Sequence, residues 1–563
     1  MQSETKNCQN CKKDFVIESE DFNFYEKIKV PPPTWCPECR VSRRLNWQGY
    51  RVLYKRKCDF TGDNIISTFH PNSLYKVYRQ DVWWGDQWDS TEYSKDIDWT
   101  RPFLEQFKEL MLEVPHASLA SVHSAMVRSD YCSAASDCKD CYLCFRITGG
   151  EDSAYLNTVV DGKQSIDCSF LNHCELCYGS TNINKCYEVF FSKDCTECQS
   201  IWFSRDLVGC SDCVGCINLR MKKNCIFNVQ YSKEEYQQKL KELDFGTLES
   251  LENFQVVAEE FMKNHPRKQF HGLKNTNVSG EYISNSKNVH DSYLFANGQD
   301  LRYCQFLKGG PSASSYDWSF FGDNSELMYE CGWCGLDSSN VKFSGWNYFN
   351  HDIEYCFGCH HSANLFGCVN TIKGEYRILN KQYSKEEYLK LIPKIKKHMK
   401  DMPYVDQIGR KYHYGEMLPA ELAPWCYNEA TVYEWFPLSK EESIAKGFNW
   451  RDPDGREYQN ATIEIPKHIK DVGEDILKAV LKCASCEKNY QIIQKEFQFL
   501  KKYNIPIPHD CPLCRDRARI KQLNPMQIYN RACAKCDTEI KTSYAPDRPE
   551  IVYCEKCYQQ EVY

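Results

Sequence analysis

Cys8 and Cys11, followed further on by Cys36 and Cys39, return near the other end of the chain with identical spacing as Cys483, Cys486, Cys511 and Cys514. A constant shift of 475 positions also superposes Phe15 on Tyr490, Ile17 on Ile492, Phe22 on Phe497, Phe24 on Phe499, Pro31 on Pro506 and Pro33 on Pro508. Beyond the last cysteine it superposes Pro37 on Pro512, Arg40 on Arg515 and Arg44 on Arg519. A folded element is therefore duplicated, not a cysteine pattern alone. Cys533, Cys536, Cys554 and Cys557 form a third set, with a shorter stretch between the pairs. Two CxxC knuckles supply the four thiolates of the tetrahedral sulfur site that Zn²⁺ prefers, and four protein ligands leave no position for a substrate. The sequence predicts three structural zinc sites.

Each long copy reads as a knuckle, a strand pair (Phe15 to Ile17 with Phe22 to Tyr25 in the first), a Pro-rich turn and a second knuckle. Pro37 and Pro512 follow the third cysteine, where a first-turn helical residue needs no N–H, so the second knuckle is expected to open a short helix. With an aromatic after the first knuckle and CPxCR at the second, residues 8–44 and 483–519 resemble a treble-clef zinc-ribbon family. Residues 533–557 resemble a small zinc domain type defined by that shorter interval between two CxxC pairs. These resemblances imply zinc and a fold, and no activity. The whole chain resembles large cysteine-rich proteins of uncultivated bacteria, some of which carry names such as CoA-transferase; no residues here support that name.

A chain of 563 residues is too long for one core. Its 34 cysteines would suggest a disulfide framework in a small secreted protein, but the first ten residues are polar and lack an apolar signal region. A reducing cytoplasm is the expectation, and no apolar run is long enough to span a bilayer. Residues 1–57 carry 12 Lys/Arg against 7 Asp/Glu and residues 480–563 carry 14 against 10, which leaves the middle with 44 against 60. Basic ends on an acidic body permit the ends to meet an anion.

The middle holds a second duplication. Val208-Gly-Cys-Ile-Asn-Leu and Tyr231-Ser-Lys-Glu-Glu-Tyr236 return as Phe366-Gly-Cys-Val-Asn-Thr and Tyr383-Ser-Lys-Glu-Glu-Tyr388. Upstream, Ser165-Ile-Asp-Cys-Ser-Phe170 answers to Ser315-Tyr-Asp-Trp-Ser-Phe320. Each copy ends in a helix with a capping box, Ser232 with Glu235 and Ser384 with Glu387. Short units of polar turn plus aromatic, cysteine or β-branched residues recur inside each copy, and stacking them gives a continuous core. The expected fold is multidomain and mainly β: treble-clef ribbons at both ends flanking a duplicated parallel β-solenoid with short helices. The expected boundaries are 1–57 (ribbon with basic tail), 58–130 (small β module and the helix Thr100 to Val114), 131–245 (solenoid copy 1), 246–280 (helical spacer), 281–400 (copy 2), 401–465 (connector), 466–525 (helix and ribbon) and 526–563 (last ribbon).

Twenty cysteines lie between Cys132 and Cys368. Because the duplication exchanges Cys168 for Trp318 and Cys177 for Met328, they read as core filler rather than ligands. Cys356, Cys359, His360 and His361 are the one group there suited to a metal. Arg40, Arg43, Arg44 and Arg51, in a stretch that runs on through Lys55, Arg56 and Lys57 with Trp47, Tyr50 and Tyr54 interleaved, and Arg515, Arg517 and Arg519 in weaker form, are candidate contacts to RNA or a ribonucleoprotein. A solvated basic helix face is the plain alternative. No catalytic constellation and no phosphate-binding glycine loop is present, and Asp161, Asp167, Asp291, Asp317 and Asp352 sit at turn positions. The expectation is a non-enzymatic zinc protein that binds RNA, a ribonucleoprotein or another protein, without membrane or small-molecule partners. The rivals are a thiol or metal sensor or an enzyme built on the central cysteines, and a pure protein scaffold.

Overall fold

A computed structural model describes residues 2–307, 310–455 and 457–562. The chain folds as two compact units, and both are discontinuous in sequence. One comprises residues up to Leu119 with Phe270–Asp452 and Met526–Ile528; the other comprises Ala120–Gln269, Pro453–Pro525 and the residues from Tyr529 onward. The contiguous segments expected from the sequence are thus combined across the chain: the N-terminal ribbon belongs with the second β copy and the C-terminal ribbons with the first. Among the described residues no helix is long and apolar enough to cross a membrane.

In the second unit, strands from Ser133–Ser136 to Lys223–Ile226 pair in parallel, and a final antiparallel partner, Val229–Gln230, ends the sheet. Phe145 pairs with Asn157, Asn157 with Ser169, Ser169 with Thr181, Tyr187 with Gln199 and Gln199 with Ser211, so the register advances by twelve residues at every step. From Ala134 to Asn224 a left-handed residue (positive φ) recurs at every third position without a gap. Four three-residue steps therefore make one twelve-residue circuit. Asn and Asp tolerate this conformation best among residues with a Cβ. Asp137, Asp140, Asp161, Asp167, Asn182, Asp194 and Asp212 all occupy it, which is why acids mark the turns in the sequence.

Ahead of Met221, the residue after each left-handed one points inward. Ala135, Cys138, Cys141, Cys144 and Ile147 open that row, and Cys195, Cys198, Ile201, Ser204 and Leu207 continue it, all buried. Cysteine and serine are interchangeable here because both make the same bond. Cys174 Sγ donates to the Asn172 carbonyl at 3.3 Å and Cys198 Sγ to Thr196 at 3.2 Å, while Ser165 Oγ donates to Lys163 and Ser192 Oγ to Phe190, each at 2.8 Å. The outer faces of Tyr178, Phe190 and Phe203 pack with Phe497, Phe499 and Leu500 of the ribbon and with Leu251, Ala258 and Met262 of the spacer helix Leu248–Lys263.

The first unit repeats this plan between Thr276–Ser284 and Glu375–Ile378, with the register at twelve in places (His351 with Ala363) and stretched to thirteen or fourteen in others (Ser312 with Ser325, Gly298 with Ser312). There Ser312–Ser319, Ser325–Glu326, Ser339–Lys342 and Tyr329–Gly335 close a four-strand ring. Both predicted capping boxes form, Ser232 with Glu235 and Ser384 with Glu387. Phe103, Phe107 and Leu110 are buried on the helix Phe103–Glu113, where Pro102 is the N-cap and the buried Val114 the C-cap.

Two local expectations change. Phe22 to Tyr25 is not a strand; it lies in the helix Ser19–Lys27, and Phe497 and Phe499 lie in its counterpart Gln494–Tyr503. The strand Asp14–Ile17 pairs instead with Glu4–Asn7 ahead of the knuckle. Spacings of one or two between aromatics suit either structure, and the acidic first turn (Glu20, Asp21) with a capping box at Glu18 favours the helix. Likewise Val82 and Trp83 belong to the short helix Gln80–Trp83 rather than to a strand.

All twenty central cysteines are buried. Burial pushes the Cys168 and Cys304 thiols up to about 12. Treating the native protein with a small alkylating reagent at neutral pH is expected to leave these twenty unlabelled and to label them only on denaturation; fast native labelling of several of them would contradict the packing described.

Candidate metal centres and the arginine clamps

The three knuckle sets are built the same way. In the first, Cys8 N donates to the Lys13 carbonyl and Lys12 N to the Cys8 carbonyl, both at 2.9 Å, with Lys12 left-handed at φ 61°. Gln9 N then reaches the Thr34 carbonyl at 3.0 Å and brings the two halves together. Cys36 N donates to Cys8 Sγ at 3.2 Å, and Cys511 N to Cys483 Sγ and Cys554 N to Cys533 Sγ do the same at 3.2 Å. Cys36 and Cys511 are also the N-caps of the helices Pro37–Asn46 and Pro512–Lys521, whose first residue is proline as expected.

The donor sets fit zinc. With Zn–S near 2.3 Å, the edge of a sulfur tetrahedron is about 3.8 Å. The measured separations are 3.7 Å for Cys11 and Cys36, 3.8 Å for Cys486 and Cys511, and 3.8 Å for Cys536 and Cys554. In each set the four sulfurs lie within 4.8 Å of one another, and among the described residues these are the three groups arranged to hold a metal ion. Cys356, Cys359, His360 and His361 do not form such a group. The Cys356 thiol donates to the Glu354 carbonyl at 3.3 Å, and the His360 ring, 1% exposed, lies 5.1 Å from both Trp84 and Trp346. His361 stacks on Phe349, ring centroids 4.6 Å apart.

The basic helix behind the first site carries Arg40, Arg43 and Arg44, which are 1%, 0% and 0% exposed. Their guanidinium groups face the β body. Arg40 Nη2 pairs with Asp317 Oδ2 at 2.9 Å and Arg44 Nη1 with Asp317 Oδ1 at 2.8 Å, so one carboxylate is gripped from two helical turns. Arg43 bridges Glu330 at 3.0 Å and Glu416 at 3.2 Å. Three guanidiniums thus meet three carboxylates. Burial pulls Arg43 down, but Glu330 and Glu416 outweigh it and hold it charged; burial pushes Glu330 up against the pull of Arg43. Arg44 Nε completes the set by donating to Ser319 Oγ at 3.2 Å. Trp47 and Tyr50 are buried, with Trp47 against Phe357 at 5.6 Å, and Arg51 pairs with Glu434 at 2.7 Å.

The second copy reproduces the clamp. Arg515 Nε lies 3.0 Å from Asp167 Oδ2, Arg519 Nη1 lies 2.7 Å from Asp167 Oδ1, and Arg519 Nε donates to Ser169 Oγ at 3.2 Å. Arg515 also pairs with Glu496 at 2.8 Å, and burial pushes that carboxyl up despite Arg515. Arg517 is exposed. The expected nucleic-acid contacts at Arg40, Arg43, Arg44, Trp47, Arg515 and Arg519 are therefore corrected: these side chains are turned inward, and the acids Asp167 and Asp317, taken from the sequence as plain turn residues, are their partners. The signal was present, since Arg40/Arg44 and Asp317/Ser319 are duplicated as Arg515/Arg519 and Asp167/Ser169.

No protein-family model matches the chain, and no curated protein aligns with it significantly. Among solved structures, a protein of Desulfovibrio desulfuricans G20, provisionally named an acetyltransferase, aligns at 10% identity over 40% of this chain and 54% of its own. Its TM-score of 0.08 gives that overlap no weight for fold or activity. What the geometry defines is a mainly β protein with three four-cysteine groups compatible with zinc.

Elemental analysis of the purified protein is expected to give three zinc ions per chain, falling to two in Cys486→Ser; five or more would bring the central thiols back as ligands. Asp317→Ala would leave Arg40 and Arg44 buried without their shared partner and is expected to cost about 3–5 kcal/mol in denaturant unfolding, whereas an exposed pair such as Lys185–Glu197 is worth under about 1 kcal/mol.

Proposed function

We propose that the protein is a non-catalytic, zinc-structured scaffold of a reducing compartment. In this reading the twelve-residue circuits are the coils of two β-solenoid bodies, zinc fixes each knuckle, the knuckle orients a helix, and the helix is bolted to a body by its arginines. The observation that carries the proposal is the consumption of the ribbon charges inside each unit: Arg40, Arg43 and Arg44 are spent on Asp317, Glu330 and Glu416. A ribbon so engaged stiffens a platform, and what it offers a partner is the platform's surface.

The sensor or enzyme reading finds less support. The central thiols are buried, and burial pushes Cys168 and Cys304 up, whereas a reactive cysteine needs thiolate character and access. An RNA or ribonucleoprotein partner is favoured by one other feature. Lys390, Lys394 and Lys397 are exposed at one-face spacing on the helix Lys385–Asp401, a row suited to tracking phosphates.

Crosslinking in the native cells separates these readings. A scaffold is expected to yield a defined protein partner with crosslinks on the β bodies; RNA crosslinked to residues 385–401, lost in Lys390→Glu/Lys394→Glu/Lys397→Glu, would assign nucleic acid instead. Turnover of any small molecule dependent on a central cysteine would overturn the non-catalytic proposal.

A further inference from the structure

The shift of 475 positions does not end at Arg44. It carries Tyr54 onto Tyr529, Arg56 onto Arg531, Cys58 onto Cys533, Ile65 onto Ile540, Pro71 onto Pro546, Val77 onto Val552 and Tyr78 onto Tyr553. The four cysteines of the third set then fall on Cys58, Thr61, Arg79 and Val82, so one thiol of four is kept.

The backbone agrees at every point that defines a knuckle. Tyr54–Lys57 pairs with Asn64–Ser67, Tyr54 opposite Ser67, as Tyr529–Ala532 pairs with Glu539–Thr542, Tyr529 opposite Thr542. Cys58 N donates to the Asp63 carbonyl at 2.8 Å, as Cys533 N does to Thr538 at 2.9 Å. Gly62 N returns to the Cys58 carbonyl at 2.9 Å with φ 79°, as Asp537 N returns to Cys533 at 2.9 Å with φ 56°. Asp59 N reaches the Val77 carbonyl and Ala534 N the Val552 carbonyl, both at 2.9 Å. Arg79 N donates to Cys58 Sγ at 3.3 Å, where Cys554 N donates to Cys533 Sγ at 3.2 Å. A helix starts at the next residue in both, Gln80–Trp83 and Glu555–Val562.

We infer that Tyr54–Trp83 is a fourth ribbon of the same fold, whose metal position has been given up and replaced by side chains. A hydroxyl, a guanidinium and an isopropyl group stand where three thiolates would bind, and a single thiolate does not hold zinc. Arg79 spans the two parts that zinc ties together in the other copy: it pairs with Asp63 beside the first knuckle at 2.7 Å and with Asp81 at the helix start at 2.5 Å. Those pairs are partly exposed and contribute modestly. Apolar packing supplies the rest: Val77, Val82 and Trp83 are buried, and the Trp83 indole donates to the Pro115 carbonyl at 2.9 Å while its ring stacks on Trp346. The unit that contains this ribbon therefore holds one metal site, and the other unit holds two.

The test restores the missing ligands. The triple variant Thr61→Cys/Arg79→Cys/Val82→Cys in the full chain is expected to bind four zinc ions instead of three, and Co²⁺ substitution is expected to raise the thiolate charge-transfer absorbance by one third. Adding Cys58→Ser should reverse that gain. A folded triple variant that still holds three ions overturns the inference. If the variant does not fold, hydrogen exchange of the natural protein in excess chelator decides. Protection at the Cys58 and Gly62 amides should persist while that at Cys533 and Asp537 is lost, and joint loss of all four refutes a metal-free ribbon.

Discussion

The structure turns on a buried carboxylate held between two guanidiniums. Asp317 between Arg40 and Arg44, and Asp167 between Arg515 and Arg519, are the points at which a cysteine-knuckle ribbon meets a β body. Such a contact is poor as a source of stability, because desolvating the ions cancels most of their attraction. It is strong as a constraint on geometry, since a guanidinium left without its partner in that position is costly. The four-cysteine knuckle and the ion pairs are therefore coupled. Arg40 lies one turn and Arg44 two turns beyond Cys36, the helix N-cap and a member of the first four-cysteine group, so a metal held there would set where both guanidiniums arrive.

The β bodies solve a different problem. A left-handed conformation at every third residue costs about 1–2 kcal/mol for a residue other than glycine, less for Asn and Asp. What offsets it is regularity. Each circuit is hydrogen-bonded to the circuits on both sides, as when Asp152 N reaches back to the Lys139 carbonyl and Glu151 N forward to Gly162. The sharp turning leaves room inside only for small groups at many levels, and the inward row is accordingly Cys, Ser, Ala and Gly, with Val, Leu and Ile between. Cysteine suits this row on three counts: it is small, it is apolar enough for a core, and its thiol can donate to the carbonyl two residues earlier.

How much of this the sequence reveals depends on whether the determining contact is local. The knuckles, the Pro-started helices, the capping boxes and the exchange of Cys168 for Trp318 across the duplication are local or repeat-based signals, and the features read from them are present. The twelve-residue circuit is fixed by a three-residue step, which varied side chains hide; only the recurrence of Asp and Asn hints at it. The arginines were misread for a physical reason. A basic amphipathic helix looks the same whether its charges meet water, phosphate or an acid from elsewhere in the chain, and Asp317 is 273 residues from Arg44. Cys58 escaped because a knuckle without its other thiols has no spacing to recognise.

That shared clamp raises a question of pairing. Both ribbons carry the same two arginines and both bodies the same Asp and Ser, so the clamp alone cannot decide which ribbon takes which body, and neither ribbon is paired with the body next to it in sequence. The deciding residues are those in which the copies differ. Arg43 of the first ribbon corresponds to Ala518 of the second, and Glu330, one circuit beyond Asp317, corresponds to Gly179, one circuit beyond Asp167. The arginine and the glutamate are thus replaced together, by an exposed alanine and a glycine. Docking the first ribbon on the other body would leave Arg43 facing Gly179 in place of Glu330, and docking the second ribbon on this one would cost Glu330 its 3.0 Å partner Arg43, keeping only the longer 3.7 Å contacts of the Arg40 and Arg44 positions. An unpaired buried charge costs several kcal/mol, far more than the correct pair gains. Arg43 and Glu330 thus act mainly against the wrong assembly: their ion pair joins ribbon to body, whereas the further pair of the second clamp, Arg515 with Glu496, lies within its own ribbon.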